Sequence, residues 1–349
     1  MTDTNPNRAA FAQQAEYCEA NAAPITARLC RGIGGAADRT TVTGRRILDW
    51  PGQPIADALP LRAAGAFHAL WRAGKAPALD GLFGGGETDP AAIAAALGSV
   101  LAQWDGAIAG WLDGPPQTNE PGRSAALMAG MLVLARRFGQ KLEVLEIGSS
   151  AGLNLLIDRY RFDLGGVTVG PADSPVTLRP AWRGPPPPAA DVRFASVRGE
   201  DIAPVDVRDQ AAADRLRAYV WIDQVERVAR MEAAIGMIRA QPVSLDQGDA
   251  ADWIEAQLAK PQAEGVTRVL MHSVMWQYMP PASQARIAAA MSAAGARATV
   301  ERPLGWVSLE SDRTLFPHQL RLRCWPGEPS DVVLAHSHAH GLWMEWLGR

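Results

Sequence analysis

Apolar side chains recur at helical spacing through the first 140 residues of the chain. Asp89-Pro90 has the form of a helix start and opens one such run. Ser124 precedes a second run, Ala125–Phe138, which Gly139 ends. No alternating apolar and polar pattern of a strand interrupts these segments. The spacing therefore predicts an all-helical N-terminal domain over residues 1–140.

From residue 141 onward the pattern changes to short apolar runs separated by helical segments. These runs predict strands at residues 142–147, 192–196, 243–245, 268–273 and 306–309. Strands that alternate with helices are typical of an α/β protein with a mostly parallel sheet. Leucines alternate with arginines over 320–323 and a further apolar run begins at Val332, which predicts a C-terminal antiparallel hairpin. The second predicted domain is residues 141–349, with an insertion at about 160–190.

The stretch Leu142–Asp158 joins the first predicted strand to a helical segment through very small residues. The strand ends at Gly148, residues 149–152 form the turn, and Leu153 begins an apolar-faced helix. Backbone N–H groups at such a turn are expected to point outward and to receive an anion or a cofactor. The Gly-x-Gly-x-x-Gly spacing is absent from this turn, so a nicotinamide cofactor is not expected.

Three interpretations of this turn stay open. Glu146-Ile147-Gly148, with Gly152 four residues further on, is similar to the S-adenosylmethionine (SAM) loop of class I methyltransferases, which runs acid, one residue, Gly-x-x-x-Gly. The same residues satisfy Gly-x-Ser-x-Gly, the nucleophile elbow of serine hydrolases, with Ser150 as nucleophile. The third interpretation is a strand-to-helix turn that binds no ligand.

Two later segments extend the first of these likenesses. Gly248-Asp249-Ala250 follows a predicted strand, as Gly-Asp-Ala often follows the third core strand of class I methyltransferases. The run 268–273 ends in His272-Ser273 and leads to a short helix, like the fourth strand of that superfamily. From Leu142 to the C-terminus the chain thus resembles class I SAM-dependent methyltransferases. This implies a Rossmann-like, doubly wound sheet, SAM as cofactor, and methyl transfer to an unidentified small molecule.

The resemblance also implies roles for individual residues. The loop would face the methionine part of SAM, and Glu200 or Asp201, after the second strand, would hold the ribose. Asp249 would accept a hydrogen bond from the adenine amino group, beside the N–H of Ala250. The cofactor-binding residues expected on this basis are Glu146, Gly148, Ser149, Ser150, Gly152, Asn154, Asp201, Asp249 and Ala250.

In the same superfamily the end of the fourth strand faces the methyl group. His272 and Tyr278 are therefore the predicted catalytic residues, with His272 as a base, because the ordinary pKa of histidine lies near working pH. The helical domain is expected to close over the acceptor. The predicted substrate-binding residues are Asn119, Arg123, Asp223, Arg227 and Gln277.

The sequence departs from the superfamily pattern at three points. Ser150 stands where a middle glycine is commoner, and the insertion after the first strand is long. His272-Ser273 stands where enzymes that methylate amino groups of nucleic-acid bases often carry Asn/Asp-Pro-Pro. Methylation of such bases is therefore not expected.

The pattern before residue 142 disfavours the hydrolase interpretation. An α/β-hydrolase reaches its elbow only after several strands and has an upstream oxyanion loop of the His-Gly-Gly-Gly kind, and the chain shows neither. Ser150 is nevertheless followed by acids and then by late histidines, the order that such hydrolases use. A serine hydrolase therefore remains the alternative. A methyltransferase-fold protein that binds a ligand without turnover is the third hypothesis.

Over its whole length the chain also resembles an uncharacterised bacterial family known by a domain-of-unknown-function label. The residues behind this likeness are Thr118–Arg123, Gly152–Leu155, Trp221–Arg227 and His340-Gly341. It implies no particular activity.

Composition and charge narrow the classes of partner. The 349 residues carry a net charge of −3 without a run of lysine or arginine, so no nucleic-acid partner is expected. The three cysteines are far apart, which is typical of reduced thiols in a cytoplasm. The N-terminus lacks the pattern of a signal peptide, and the longest apolar run, Ala125–Ala135, is too short for a bilayer. We therefore expect a cytoplasmic protein with a small-molecule substrate and no membrane partner.

Histidines at the end of the chain raise the question of a metal site. His336, His338 and His340 alternate and would share one face of a strand, and His318 lies upstream. Such a set could bind zinc or nickel. No nearby Cys, Asp or Glu completes a familiar metal spacing. No metal is therefore expected, and the oligomeric state stays open.

Overall fold

The computed structural model of the chain describes residues 5–311, 317–327 and 330–348. The α-helices, numbered in chain order, are α1 (Pro6–Ala20), α2 (Pro24–Ala36), α3 (Val42–Leu48), α4 (Leu59–Arg72), α5 (Asp80–Phe83), α6 (Pro90–Ala109), α7 (Ser124–Phe138), α8 (Gln210–Ala218), α9 (Val225–Ala240), α10 (Ala250–Leu258) and α11 (Pro281–Gly295). The strands are β1 (Lys141–Ile147), β2 (Arg161–Leu164), β3 (Val167–Val169), β4 (Thr177–Leu178), β5 (Ala181–Arg183), β6 (Arg193–Asp201), β7 (Ser244–Gln247), β8 (Thr267–Ser273), β9 (Leu304–Glu310), β10 (His318–Trp325), β11 (Val332–Ser337) and β12 (Trp343–Trp346).

The first compact unit consists of residues 1–118 together with 209–231. Its helices bury an apolar core that includes Phe11, Ile33 and Phe67. α1 packs on α2, α2 on α6, and α4 on α8. The predicted helical character of the N-terminal region is therefore confirmed.

The second unit consists of residues 119–208 and 232–349, and a nine-stranded sheet forms its centre. The strand order is β5-β12-β11-β10-β9-β8-β1-β6-β7. β7, β6, β1, β8 and β9 are parallel neighbours, which is the 3-2-1-4-5 order of doubly wound folds. The predicted α/β class with a mostly parallel sheet is confirmed.

Helices cover both faces of this sheet. α7 approaches one face closely, because Gly130 of the helix faces Val307 and Gly305 of β9 faces Leu134. α10 and α11 pack on residues that alternate with these, including Leu304 and Trp306, and therefore lie on the opposite face. The sheet is thus wound on both sides.

The C-terminal half of the sheet is longer than the predicted hairpin. β9, β10, β11 and β12 pair consecutively as an antiparallel meander. β5, from the predicted insertion, adds a parallel strand at the outer edge beside β12. β2, β3 and β4 form a separate three-stranded sheet. The predicted hairpin therefore contained too few strands. It paired only β10 with β11, whereas four consecutive strands are antiparallel.

The compact units divide the chain differently from the predicted boundary at residue 140. α7 belongs to the second unit, because it packs on β9, β10 and β11. Residues 209–231 belong to the first unit, because α8 packs on α4. The chain thus leaves the first unit and later re-enters it. A single boundary in the sequence cannot describe a unit made of two separate segments.

Among the described residues, one helical stretch is long and apolar enough to cross a membrane, by length and composition alone. This stretch is Pro90–Asp113, which contains α6. Ile93, Leu97 and Val100 on one of its faces belong to the core of the first unit. The expectation of no membrane span was based on the longest uninterrupted apolar run, Ala125–Ala135. Pro90–Asp113 is longer, but polar residues interrupt its apolar ones.

Candidate functional site

The carboxyl ends of β6, β1 and β8 meet at one edge of the sheet, because these strands are parallel neighbours. The loop 148–152 leaves β1 there, β6 ends in Glu200-Asp201, and β8 ends in His272-Ser273. After β1 the chain continues to β6 and β7 on one side and later to β8 and β9 on the other. Open α/β sheets bind their ligands at such a point of divergence.

The N–H groups of the loop after β1 are bonded within the protein. Gly148 donates to Glu200 Oε1 at 3.2 Å, and Ser149 donates to the Glu200 carbonyl at 2.9 Å. Ser150 donates to Asp201 Oδ2 at 2.7 Å. The expectation that these groups point outward to an anion is wrong, because acids at the end of β6 already occupy them. A loop lined by carboxylates repels a phosphate and favours a cationic ligand.

The two loop glycines are required by conformation and by packing. Gly148 has φ +66°, and a Cβ there would lie 2.8 Å from the side chain of Met275. Gly152 has φ +75°, and a Cβ there would lie 2.8 Å from Val243. The helical segment that follows, Leu153–Asp158, is a 3-10 helix. Gly152 accordingly accepts from the N–H three residues ahead, at 3.0 Å.

Glu146 lies inside β1 and is 1% exposed. Burial raises the pKa of its carboxyl to about 8, against the hydrogen bonds from the Ser149 and Asn154 side chains and the positive charge of Arg123. Its Oε2 atom is buried and has no hydrogen-bond partner in the described part of the chain. The group is therefore mostly protonated at neutral pH in the ligand-free protein.

Glu200 and Asp201 at the end of β6 differ in how far they are already bonded. Both oxygens of Asp201 accept backbone N–H groups, from Ser150 at 2.7 Å and from Ala203 at 2.9 Å. Glu200 Oε2 is buried without a partner among the described residues. Burial raises the pKa of Glu200 to about 7, against the hydrogen bond from Gly148. Glu200, more than the predicted Asp201, retains an atom for a ligand.

Asp249 precedes α10 and caps it. Its Oδ1 accepts from the N–H groups of Ala251 at 2.9 Å and of Asp252 at 3.1 Å. The residue is exposed, and its Oδ2 takes no part in these capping bonds. Asp249 and Ala250 thus stand at the expected end of the third core strand, where the capping role alone explains the acid.

Ser150 has φ +53°, a strained conformation for a residue other than glycine. Its Oγ is buried and has no hydrogen-bond partner within residues 5–311, 317–327 and 330–348. A serine nucleophile needs a base that hydrogen-bonds to its hydroxyl. The described residues therefore do not assemble the hydrolase arrangement around Ser150.

The segment before α7 is tied to the loop by side-chain amides. Asn119 Oδ1 accepts from the N–H of Leu153 at 2.8 Å. Ser124 Oγ donates to Asn154 Oδ1 at 2.8 Å, and the Asn154 side chain also hydrogen-bonds to Glu146. Asn119, a predicted substrate residue, is buried and supports the loop.

Arg123 lies in the same segment and is also buried, at 6% exposure. Its Nε donates to the Ala339 carbonyl at 3.0 Å. Its positive charge lowers the pKa of Glu146 and helps to lower that of His318. Arg123, a predicted substrate residue, thus hydrogen-bonds within the protein and acts on Glu146 through its positive charge.

His272, near the end of β8, is 2% exposed and has a charged partner. Its Nδ1 lies 2.7 Å from Glu310 Oε1. Its ring stacks on Trp276, with centroids 5.0 Å apart, and Trp306 lies at 6.1 Å. Its Nε2 is buried without a partner among the described residues. Leaving such an atom unpaired costs about 1–3 kcal/mol unless a ligand or a water satisfies it.

Glu310, the last residue of β9, is absent from the predicted site residues. β9 pairs with β8 in parallel, with His272 opposite Ser308. Glu310 lies two residues further along, on the same face of the sheet. The detectable signal is an acid at the end of the strand that neighbours the histidine. It becomes informative only once the strand order is known.

The other predicted catalytic residue, Tyr278, lies in the short 3-10 turn Trp276–Tyr278. Its side chain is 65% exposed, in contrast to that of His272. Gln277, a predicted substrate residue, is half-buried in the same turn. The turn thus directs the Tyr278 side chain to solvent.

Asp223 and Arg227 belong to the first unit. The carboxylate of Asp223 accepts from the N–H of Ile25 at 2.7 Å and from the N–H of Thr26 at 3.0 Å, so it caps α2. Arg227 is buried and hydrogen-bonds to Gln224. In the structure Asp223 thus has a helix-capping role, which accounts for this acid without a substrate.

Two of the C-terminal histidines lie together, because the ring centroids of His338 and His340 are 5.3 Å apart. His338 Nδ1 accepts from the N–H of His340 at 3.1 Å, and His336 lies 3.7 Å from Glu345. His318 is buried, and burial lowers its pKa to about 4. Within the described residues, no group of three or more His, Cys, Asp or Glu side chains is arranged to hold a metal ion.

One cleft in the second unit borders the loop on the β7 side. It has a volume of about 220 Å³. Its lining includes Ala151 from the loop, with Pro204–Arg208, Ile238 and Leu245. None of the predicted site residues lines this cleft. The buried polar atoms described above therefore mark the candidate site, and this cleft does not.

Comparison with known proteins supports a family and no more. No curated protein and no solved structure matches the chain significantly. A bacterial family described as "Uncharacterized protein conserved in bacteria (DUF2332)" matches residues 8–346. That match includes both units and every candidate residue. The chain therefore belongs to the DUF2332 family.

Proposed function

We propose that the protein is a SAM-dependent methyltransferase that acts on a small molecule. The observation that carries the proposal is the convergence at one sheet edge of a Gly-x-x-x-Gly loop, the acid Glu200 at the end of β6, and Asp249 after β7. The resemblance of the sequence to class I methyltransferases assigns these three elements to one SAM site.

The charges at this edge fit SAM better than a phosphate-containing cofactor. Glu146 and Glu200 each keep a buried carboxyl oxygen without a partner in the described part of the chain. The N–H groups that would hold a phosphate are occupied by Glu200 and Asp201. SAM carries a sulfonium and an ammonium group. Their positive charges would favour the ionised form of these two buried carboxyls, and the resulting carboxylates would stabilise the cofactor.

Each group would contribute to binding or to alignment. Glu200 would accept hydrogen bonds from ribose hydroxyls, Asp249 from the adenine amino group, and Glu146 would face the cationic end of the cofactor. When bound, SAM supplies a methyl group on a positively charged sulfur. Met275, packed on Gly148, would help to shield this part of the loop from water. The protein's contribution is thus alignment and desolvation.

Calorimetric titration with S-adenosylhomocysteine tests this proposal. We expect micromolar binding to the wild type, on the order of −8 kcal/mol. Glu200→Gln should weaken binding about tenfold or more, because a charge-assisted hydrogen bond is lost. Asp252→Asn is a matched control, since this exposed acid of α10 pairs with Arg286. It should bind within about twofold of the wild type. Absence of binding to the wild type would overturn the proposal.

A further inference from the structure

His272 and Glu310 form a pair whose hydrogen position can be assigned from the bonds around it. Glu310 Oε1 accepts from the N–H of Met275 at 3.2 Å and of Trp276 at 3.4 Å. The same oxygen lies 2.7 Å from His272 Nδ1. An oxygen that already accepts two N–H groups acts as an acceptor and not as a hydroxyl donor, so the histidine nitrogen facing it carries the hydrogen. A neutral ring then has its lone pair on Nε2.

This lone pair lies in a cluster of aromatic rings with a second unused polar atom. Trp276 stacks on the His272 ring at an interplanar angle of 20°, and Trp306 meets Trp276 edge-on. Trp306 Nε1, a donor only, is also buried without a partner among the described residues. The cluster therefore offers one acceptor and one donor. A group that both donates and accepts, such as a hydroxyl with a neighbouring oxygen, complements it.

The backbone beside His272 is held in a strained form that completes the pair. Val274 has φ +54°, which is rare for a β-branched residue. Its N–H donates to the Leu309 carbonyl at 3.0 Å. This turn brings the N–H groups of Met275 and Trp276 onto Glu310. Strain of this kind persists where the surroundings impose it, and it is concentrated at functional sites.

The pair lies one strand away from the loop after β1. Met271 is in register with Glu146, so His272 is level with Ile147, and Ile147 is in register with Glu200. All three point to the same face, and two strand spacings separate His272 from Glu200, about 10 Å. A bound molecule could therefore contact both positions.

We propose that His272 accepts a proton from the methyl acceptor, that Glu310 positions it, and that the acceptor is a hydroxyl or an amine. This inference rests on the methyltransferase function proposed above. The acceptor's O–H or N–H bond breaks, its proton passes to Nε2, and its oxygen or nitrogen forms the new bond to the methyl carbon. The electron pair of the broken carbon–sulfur bond stays on the donor sulfur. A thioether acceptor, which has no proton to lose, would not need the pair.

Nitrogen-15 NMR of protein labelled in its histidine side chains tests the pair directly. The His272 signals are assigned by their loss in His272→Gln. We expect the hydrogen on Nδ1 in the wild type. In Glu310→Gln the amide can donate to Nδ1, so the hydrogen should move to Nε2 in a measurable fraction of molecules. A wild-type ring with its hydrogen on Nε2 would overturn the assignment.

The acceptor class is tested on the same samples saturated with S-adenosylhomocysteine. Phenol at millimolar concentration should shift the His272 Nε2 signal, because its hydroxyl can donate to that atom. Anisole has nearly the same shape but no proton to donate, and it should leave the signal unchanged. In Glu310→Gln the response to phenol should weaken, because Nε2 carries the hydrogen in part of the molecules and has no lone pair there. No response to phenol, or an equal response to anisole, would overturn the inference.

Cofactor binding separates the two proposals. His272→Gln and Glu310→Gln should bind S-adenosylhomocysteine within about threefold of the wild type, because both residues act on the acceptor side. Normal cofactor binding with a failed phenol response would overturn the acceptor class and leave the methyltransferase standing. Absence of cofactor binding to the wild type would overturn both, whatever the position of the hydrogen on His272.

Discussion

His68 in the first unit and His272 in the second have similar surroundings and differ in one partner. They are 4% and 2% exposed, and each stacks on a tryptophan. Each also has a buried Nε2 without a partner among the described residues. Nδ1 of His68 lies 3.0 Å from the Ala218 carbonyl oxygen, whereas Nδ1 of His272 lies 2.7 Å from the Glu310 carboxylate.

The partner decides what each ring can do. Burial lowers the pKa of His68 to about 4, and the hydrogen bond to a carbonyl only partly opposes this. His68 therefore stays neutral at physiological pH and packs against the stacked rings of Phe83 and Trp71. A carboxylate, in contrast, stabilises the ring once it has gained a proton. An unpaired Nε2 is thus a weak sign of function by itself, and the charged partner makes it a strong one.

The largest expected effect comes from a buried acid, which should respond to pH in the opposite sense from His68. The pKa of Glu146 is raised to about 8 by burial, so the folded protein loses stability as pH rises from about 4.5 to 8. Glu146→Gln has no such group. At pH 8.5 the variant should be more stable than the wild type by about 3–5 kcal/mol, at 1.36 kcal/mol per pKa unit. At pH 4.5 the two should be nearly equal.

Urea unfolding at the two pH values measures this difference. Exposed Glu226→Gln is the control and should show no pH-dependent change. A constant difference between Glu146→Gln and the wild type would contradict the buried, protonated state of Glu146.

His68 gives the next largest effect. Because its pKa is lowered to about 4, the unfolded chain binds a proton that the folded protein does not as pH falls from about 6.5 to 4. The wild type should lose about 3 kcal/mol over this range. His68→Gln can still donate to the Ala218 carbonyl but has no group that titrates in this range. The variant should therefore not show the stability loss at low pH that His68 causes. The half-exposed His336→Gln is the control and should keep the wild-type acid profile.

Glu310→Gln should cost about 2 kcal/mol at pH 7, because three N–H donors lose a charged acceptor. The matched control is Glu345→Gln, whose carboxylate is exposed and lies 3.7 Å from His336. That change should cost less than about 0.5 kcal/mol. Equal urea midpoints for the two variants would contradict this expectation, because Glu310 would then stabilise the protein no more than the carboxylate beside the more exposed His336.

The smallest effect concerns the helix that carries His68. Ala58, just before α4, has φ +54°. Ala58→Gly should stabilise the protein by about 0.5–1 kcal/mol, because glycine adopts this conformation without strain. Ala69→Gly, in the interior of the same helix, should destabilise it by about as much. Thermal unfolding of the two variants should therefore shift in opposite directions.

Local patterns predicted the elements well. β1 and β8 were predicted almost to the residue, because both are short apolar runs, and the α7 segment was bounded by Ser124 and Gly139. The parallel direction of the central strands also followed from the alternation of strands and helices. β5 was not predicted as part of the main sheet, because its pairing with β12 joins residues far apart in the chain.

The site was predicted only where it depends on local sequence. The glycines of the loop and the position of His272 could be identified from neighbouring residues. The bonds from Gly148 and Ser150 to acids about 50 residues later could not, and these bonds reverse the expected electrostatic character of the loop. The capping role of Asp223 could not be predicted for a similar reason, because the helix that it caps begins about 200 residues earlier. Long-range partners, and not residue types, decided these roles.

The two-part composition of the first unit has a consequence during protein synthesis. Gly65 and His68 of α4 face Tyr219 and the Ala218 carbonyl, which the ribosome makes much later. At ordinary translation rates of 5–20 residues per second, the delay is roughly 10 s. During this interval the nascent chain exposes the α4 surface that α8 will cover. The helical unit is therefore completed only after the first strands of the sheet have been synthesised.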